Sequence, residues 1–290
     1  MKVKAYTVNS FAKTSEGGNG AGIVLDADFL TEEEMQKIAA VLGFSETAFV
    51  LKSDSADYKV RFFTPKEEVD LCGHATIGTF FTMATLGYIK PGNYMQETKA
   101  GILGVEIKED LTIMMDQPLP AFFETLDKSE IADSLNIEIG NIHEDLPVQI
   151  VSTGLKDIIV PIKSLDALLS SKPDFNKIIE ISKKHNVAGY HVFSLETIHT
   201  STACCRNFAP LLAIPEESAT GTSNGALGCY LYQYGKVSSN QASPIIIEQG
   251  YAMKKPSEIL VSLATEGNKI TGVKVGGSAL NLSFIEIEIE

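Results

Sequence analysis

Positive charge is scarce in this chain: 24 lysines and arginines stand against 37 aspartates and glutamates, for a formal net charge of -13 at pH 7. No basic run exceeds a pair such as Lys183-Lys184 or Lys254-Lys255, so a phosphate backbone would be repelled and nucleic acid is excluded as a partner. Cysteine is sparse too. Cys72, Cys204, Cys205 and Cys229 are too few and too irregularly spaced for a disulfide framework or a C-x-x-C zinc site, and read as free thiols in a reducing compartment. His143, His185, His191 and His199 show none of the tight spacings that seat a metal, so no metal is expected. The opening MKVKAYTVNS lacks the apolar core and small-residue cleavage site of a signal peptide. It reads as a first strand, and a cytoplasmic location is the expectation.

What is present is the composition of an ordinary folded protein, 44% hydrophobic and 21% charged. At 290 residues the length exceeds that of a usual single domain, which favours two domains. A body of this size buries about three quarters of its extended-chain surface, enough for a core without staples.

Thr31-Glu-Glu-Glu34 is a capping box, and Met35, Ile38, Ala39 and Leu42 then fall on one helical face that Gly43 ends. Glu46 follows in the loop where this helix hands over to the β-like run TAFVL. Two longer segments, Leu71 to Ile89 and Ser218 to Gly235, carry no formal charge. Each has acids before it (Glu67, Glu68 and Asp70; Glu216 and Glu217) and a lysine after it (Lys90; Lys236), which suits a helix macrodipole. They are too polar and glycine-rich for membrane spans, with Thr76, Thr79, Thr82 and Thr85 in one and Thr222, Ser223, Asn224 and Gln233 in the other. Helices buried at the centre of a domain fit better.

Each is trailed by a similar stretch, Glu97-Thr-Lys-Ala-Gly101-Ile-Leu and Glu248-Gln-Gly250-Tyr-Ala-Met, a weak repeat of about half the chain. Strands fill much of the rest. The expected fold is therefore α/β (α+β), two pseudo-symmetric domains, each a bent mixed sheet wrapped around one central buried helix. The first spans 1–117 with its helix at 73–87, the second 118–290 with its helix at 221–235, joined near Gln117-Pro-Leu-Pro120. The last strand, near 280–290, is able to return to the first domain.

Both uncharged helices open on small residues, Cys72-Gly-His-Ala-Thr76 and Ser218-Ala-Thr-Gly-Thr-Ser-Asn224. Free amides of a first helical turn bind anions, and glycine lets a ligand approach the backbone, so the pair suits a carboxylate. A tight strand-to-helix turn is the plainer use of either motif alone; the duplication favours binding. Abstraction of a proton beside a carboxylate needs such donors and a base, and Glu46 stands as an isolated acid in the uncharged stretch Val41 to Leu51.

The blocks Gly43-Phe-Ser-Glu-Thr-Ala-Phe-Val50, Asp70-Leu-Cys-Gly-His-Ala-Thr76, and Arg206-x-Phe-x-Pro210 leading to Glu216-Glu-Ser-Ala-Thr-Gly-Thr222 resemble, in order and rough spacing, the phenazine biosynthesis PhzF-like family across essentially the whole chain. The resemblance implies a diaminopimelate epimerase-like fold with the site in a cleft between the halves, a homodimer, and a cofactor-independent isomerase acting on a small carboxylate. It also implies Glu46 as proton shuttle, His74 beside Gly73 in the same pocket, and Glu217 holding the substrate; on its own terms His74, one residue inside a candidate anion site, reads as a second acid/base or a neutral donor ahead of a core histidine satisfied by backbone. Asn19, Gly73, Ser218, Thr220, Gly221 and Thr222 would line the pocket. Two departures bear on the substrate: Glu217-Ser218 replaces the family's Asp-Pro, and Gly18-Asn19-Gly20 its Gly-Asn-Pro. An amino-acid epimerase using Cys72 is the first alternative, although its partner thiol is replaced by Ser218 or Thr220, depending on one gap. A non-catalytic binder of small carboxylates is the second. Arg206 is open to either a structural salt bridge or substrate contact.

Overall fold

In the computed structural model, which describes residues 1–238 and 244–289, the chain divides into two units: Met1–Asp116 with Gly276–Glu290, and Gln117–Val275. The first unit runs β1 (Lys2–Ser10), β2 (Asn19–Val24), α1 (Glu32–Leu42), β3 (Glu46–Leu51), β4 (Tyr58–Phe63), β5 (Glu68–Val69), α2 (Gly73–Thr85), β6 (Gly92–Thr98), β7 (Gly101–Ile107) and β8 (Ile113–Gln117). The β1–β2 ladder is antiparallel, β2–β3 parallel and β3–β4 antiparallel. β4 then pairs antiparallel with β5 and parallel with β6, and β6, β7 and β8 form an antiparallel meander. The capping box at α1 is formed in both directions, and Gly43 closes the helix at φ 68°. The α1 face Met35, Ile38 and Ala39 packs on Val3, Phe49 and Phe63.

The second unit runs β9 (Ala121–Thr125), α3 (Lys128–Ser134), β10 (Gln149–Ser152), β11 (Lys156–Ile162), α4 (Leu165–Ser170), α5 (Phe175–His185), β12 (Gly189–Ser194), β13 (Ala203–Ala209), β14 (Ile214–Glu217), α6 (Gly221–Gln233), β15 (Ile245–Gln249), β16 (Ser257–Glu266) and β17 (Lys269–Gly277). Its ladders repeat the first unit's order. β10–β11 is antiparallel, β11–β12 parallel, β12–β13 antiparallel, β13–β14 antiparallel, β13–β15 parallel and β15–β16 antiparallel. The helices α3, α4 and α5 cover its outer face, where Ile131, Leu168 and Ile178 join Ile158, Val160 and Val192 in one core. The final strand, β18 (Ala279–Glu288), belongs to the first unit, antiparallel to β1 from Lys2↔Glu288 to Ser10↔Ala279.

In each unit one uncharged helix is nearly engulfed. α2 lies against β1, β2, β3 and β7, and α6 against β10, β11, β12 and β16. Both stop two residues short of the expected ends, at Thr85 and Gln233, followed by turns at Leu86-Gly87 and Tyr234-Gly235.

Register makes the repeat exact at the level of residues. Glu46 sits opposite Ala21, and Gly189 opposite Asp157. Phe49 faces Arg61, and Val192 faces Arg206. Phe62 faces Val69, and Asn207 faces Glu217. Both helices then begin four residues on, at Gly73 and Gly221. Side chains repeat as well. Arg61 forks onto Glu68 as Arg206 forks onto Glu216, and each guanidinium lies over a phenylalanine, Phe63 or Phe208. Ser10 Oγ donates to the His74 carbonyl at 2.6 Å, and Thr153 Oγ1 to the Thr222 carbonyl at 2.9 Å. The two glutamates on the strand after the helix, Glu97 and Glu248, accept from serine hydroxyls, Ser53 and Ser55 in one case and Ser201 in the other.

Candidate active site

The duplicated frame supplies the same backbone twice and furnishes it differently. In the first unit, Cys72 is the N-cap of α2 in extended conformation, and no side chain caps the helix. The first-turn amides are therefore left to a ligand or to water. His74, in that turn, is 5% exposed. Its Nε2 lies 3.4 Å from Glu46 Oε2 and 3.3 Å from Ser45 Oγ. Its Nδ1 lies 3.3 Å from both Asn19 Nδ2 and Cys72 Sγ. With the Asn19 amide donating to Nδ1, the imidazole proton sits on Nε2, within hydrogen-bond reach of Ser45 Oγ and with the Glu46 carboxylate beside it.

Glu46 is the first residue of β3 rather than a loop residue, and this corrects the sequence expectation. The β3 ladder starts as soon as Gly43 has reversed the chain after α1, so the carboxylate is held by a strand. Its side chain is 17% exposed, which leaves an edge open to solvent. Glu46, Cys72 and His74 each bring a potential ligand atom within 4.8 Å of the others.

In the second unit the equivalent of Glu46 is Gly189. A Cβ there would lie 1.9 Å from the Phe208 carbonyl oxygen, so no side chain fits at that place. The equivalent of Cys72 is Thr220, which settles the alternative that the sequence left open in favour of Thr220 over Ser218. Thr220 Oγ1 donates to Glu217 Oε2 at 2.6 Å and accepts from Gln249 Nε2 at 3.0 Å. Gln249 also donates to the Glu217 carbonyl and accepts from the Thr220 amide, pinning the turn that leads into α6. Ser218 is buried in that turn, and Gly221 and Thr222 open the helix.

Behind this turn lies a polar network that sequence reasoning missed. Asn224 Nδ2 donates to the Thr220 carbonyl at 2.8 Å and to Gln249 Oε1 at 2.7 Å, while its Oδ1 lies 3.1 Å from His191 Nε2. Burial pushes the His191 imidazole down to about 4, so it is neutral at pH 7, and its Nδ1 lies 2.9 Å from Asn207 Oδ1. In the first unit the matching position is Ala48, part of the apolar core. Asp157, equivalent to Ala21, is a second surprise. It is buried, accepts from Ser223 Oγ at 2.6 Å, and is pushed up by burial to about 7. An acid at the head of the apolar run Ile158-Ile-Val was its only signal in the sequence. Arg206 does not line a site: besides Glu216 it donates to the Leu168 and Ser171 carbonyls, so the structural reading holds.

No helix among the described residues is long and apolar enough to cross a membrane. The family model described as phenazine biosynthesis-like protein matches residues 8–283. The chain is 38% identical to the uncharacterized isomerase YfhB of Bacillus subtilis over 278 residues, 93% of this chain and 94% of that one. The crystal structure of a PhzF-family phenazine biosynthesis protein from Bacillus anthracis superposes with a TM-score of 0.91 at 34% identity, covering 100% of both chains. A more distant relative, the trans-2,3-dihydro-3-hydroxyanthranilate isomerase of Pseudomonas fluorescens, is 26% identical over 280 residues, 94% of this chain and 95% of that one. The doubled fold and these relatives define an isomerase. The chain belongs to the phenazine biosynthesis-like, or PhzF, family.

Proposed function

We propose that the chain moves a proton on a small carboxylate or amino-carboxylate substrate without metal or organic cofactor, and that Glu46 is its one acid/base. The observation that carries this reading is the asymmetry of the doubled frame. Glu46 stands 3.4 Å from His74 at the mouth of α2, whereas its equivalent is Gly189, where a side chain is sterically barred. A two-base racemase needs a proton-transfer group in both halves. Here the residue matching Cys72 is Thr220, whose hydroxyl is bound to Glu217. One carboxyl that removes a proton and returns it elsewhere on the same substrate is the economical use of this arrangement.

In this reading the His74 imidazole, beside the Glu46 carboxylate, turns its Nε2–H to the substrate, and the free amides at Gly73-His74 take developing negative charge. The role given to the second unit is recognition. Glu217, oriented by Thr220, holds an amine or hydroxyl, and the Gly221-Thr222 opening takes a carboxylate.

The test is incorporation of solvent deuterium into trans-2,3-dihydro-3-hydroxyanthranilate, the compound named for the relative above, and into a panel of small amino-carboxylates. Glu46→Gln is expected to lower the rate by about 10³-fold, within the usual range for a lost acid/base, while Cys72→Ala stays within about tenfold. The reverse ranking would transfer the chemistry to Cys72 and make the enzyme an epimerase. Binding of these carboxylates with no exchange in any of them would leave a binding protein.

A further inference from the structure

The second unit carries a chain of hydrogen bonds that ends on Glu217 and that the fold itself does not require. At the equivalent places of the first unit stand Ala48 for His191, Phe62 for Asn207, Val69 for Glu217, Thr76 for Asn224 and Thr98 for Gln249. The same frame folds there without the chain and without the acid. The direction of the chain is set by backbone groups, which cannot turn over. The Glu217 carbonyl only accepts and the Thr220 amide only donates, so Gln249 must give Nε2–H to the first and take the second on Oε1, at 2.8 and 3.1 Å. The Thr220 carbonyl likewise requires Asn224 Nδ2, whose second hydrogen goes to Gln249 Oε1. Asn224 is left with its oxygen toward His191 Nε2 at 3.1 Å and the Cys205 thiol at 3.5 Å. His191 is fully buried and neutral at pH 7, and its single ring proton then belongs on Nε2. Nδ1 is the accepting nitrogen, and Asn207 beside it donates through Nδ2 once its amide is turned over. At the far end Gln249 Nε2 occupies a lone pair of the Thr220 hydroxyl, whose proton is thereby committed to Glu217.

We propose that Asn224, oriented by His191, is a positioning residue for Glu217: through Gln249 and Thr220 it holds the carboxylate as an acceptor set in advance for one donor group of the substrate. That the donor belongs to the substrate rests on the reading of Glu217 given above; the positioning does not. Each amide in the chain has every hydrogen and lone pair that the backbone assigns it in use, so a change at Asn224 is felt at Thr220 and not dissipated between.

The experiment installs the first unit's residue, Asn224→Thr. Thr76 Oγ1 bonds the Cys72 carbonyl at 2.9 Å, the counterpart of the bond from Asn224 to the Thr220 carbonyl, so the variant keeps the helix contact and loses the links to Gln249 and His191. Circular dichroism establishes that it is folded. Steady-state proton transfer on the substrates named above is expected to show KM raised about tenfold with kcat within about threefold, the signature of a contact made equally in ground and transition states. In Glu217→Gln the same substitution should raise KM no further, whereas a merely loosened unit would go on losing. His191→Ala should reproduce the rise and His191→Gln, whose Nε2 donates in the same place, should reverse it. Two measurements need no substrate: the ¹⁵N spectrum of wild type is expected to place the His191 proton on Nε2, and a crystal structure of Asn224→Thr to show Glu217 withdrawn from Thr220 Oγ1. A proton on Nδ1, an unchanged KM, a further rise in Glu217→Gln, or a Glu217 unmoved in the variant overturns the positioning. A displaced Glu217 in a protein that binds and turns over none of the substrates supports the positioning and refutes only the proposed function.

Discussion

Asp157→Asn isolates the consequence of a buried acid. The Asp157 carboxyl lies inside the second unit with Ser223 Oγ as a hydrogen-bond donor, and burial lifts it from 3.8 to about 7. A carboxyl whose folded value lies above its unfolded value binds its proton more tightly in the folded state. Its contribution is therefore complete below pH 3.8 and is lost as pH rises through about 7. The shift corresponds to about 4 kcal/mol of pH-dependent stability, an upper bound because a burial site relaxes around the charge. Asparagine keeps the shape and still accepts from Ser223 but does not titrate. The assay is urea unfolding of both proteins across pH 4 to 8, chosen because subtracting the two curves cancels every other titrating group. The variant is expected to gain relative to wild type as pH rises, by roughly 2–4 kcal/mol over the range. Parallel curves would refute the reasoning and mean that Asp157 ionises without penalty.

The two arginine forks should differ in cost although they occupy equivalent places. Arg206→Lys strips the bidentate contact with Glu216 and the donors to the Leu168 and Ser171 carbonyls, and is expected to cost about 3 kcal/mol; Arg61→Lys should cost less, because Lys99 also reaches Glu68 at 2.6 Å. Equal losses in urea midpoint would contradict that ranking. Gly189→Ala forces a Cβ onto the Phe208 carbonyl and is expected to destabilise by at least about 3 kcal/mol, read from the same unfolding curves; tolerance within about 1 kcal/mol would undo the steric argument for a single base.

Much of this architecture is written in the sequence as absence of charge. Leu71 to Ile89 and Ser218 to Gly235 announce the engulfed helices because a helix wrapped on most sides has nowhere to solvate a charge. The stretches beginning at Glu97 and Glu248 announce the repeat because the two glutamates serve equivalent turns, one after β3 and the other after β12. Strand register is not legible in this way. The choice between Ser218 and Thr220 turns on one gap, and only the pairing of Asn207 with Glu217 resolves it. The approach of Glu46 to His74 depends on where β3 begins relative to α2, a distance no local pattern encodes. His191 reads in isolation as any core or surface histidine. Its meaning lies in Asn224 and Gln249, brought to it from other elements.

The strand β18 has a consequence for biosynthesis. A ribosome makes β1 before the second unit and β18 after it. The second unit can therefore close while the first still waits with an unmatched margin along Lys2–Ser10. That margin is a template for any stray extended peptide until the closing residues emerge. Nascent chains stalled before residue 279 should engage chaperones through it.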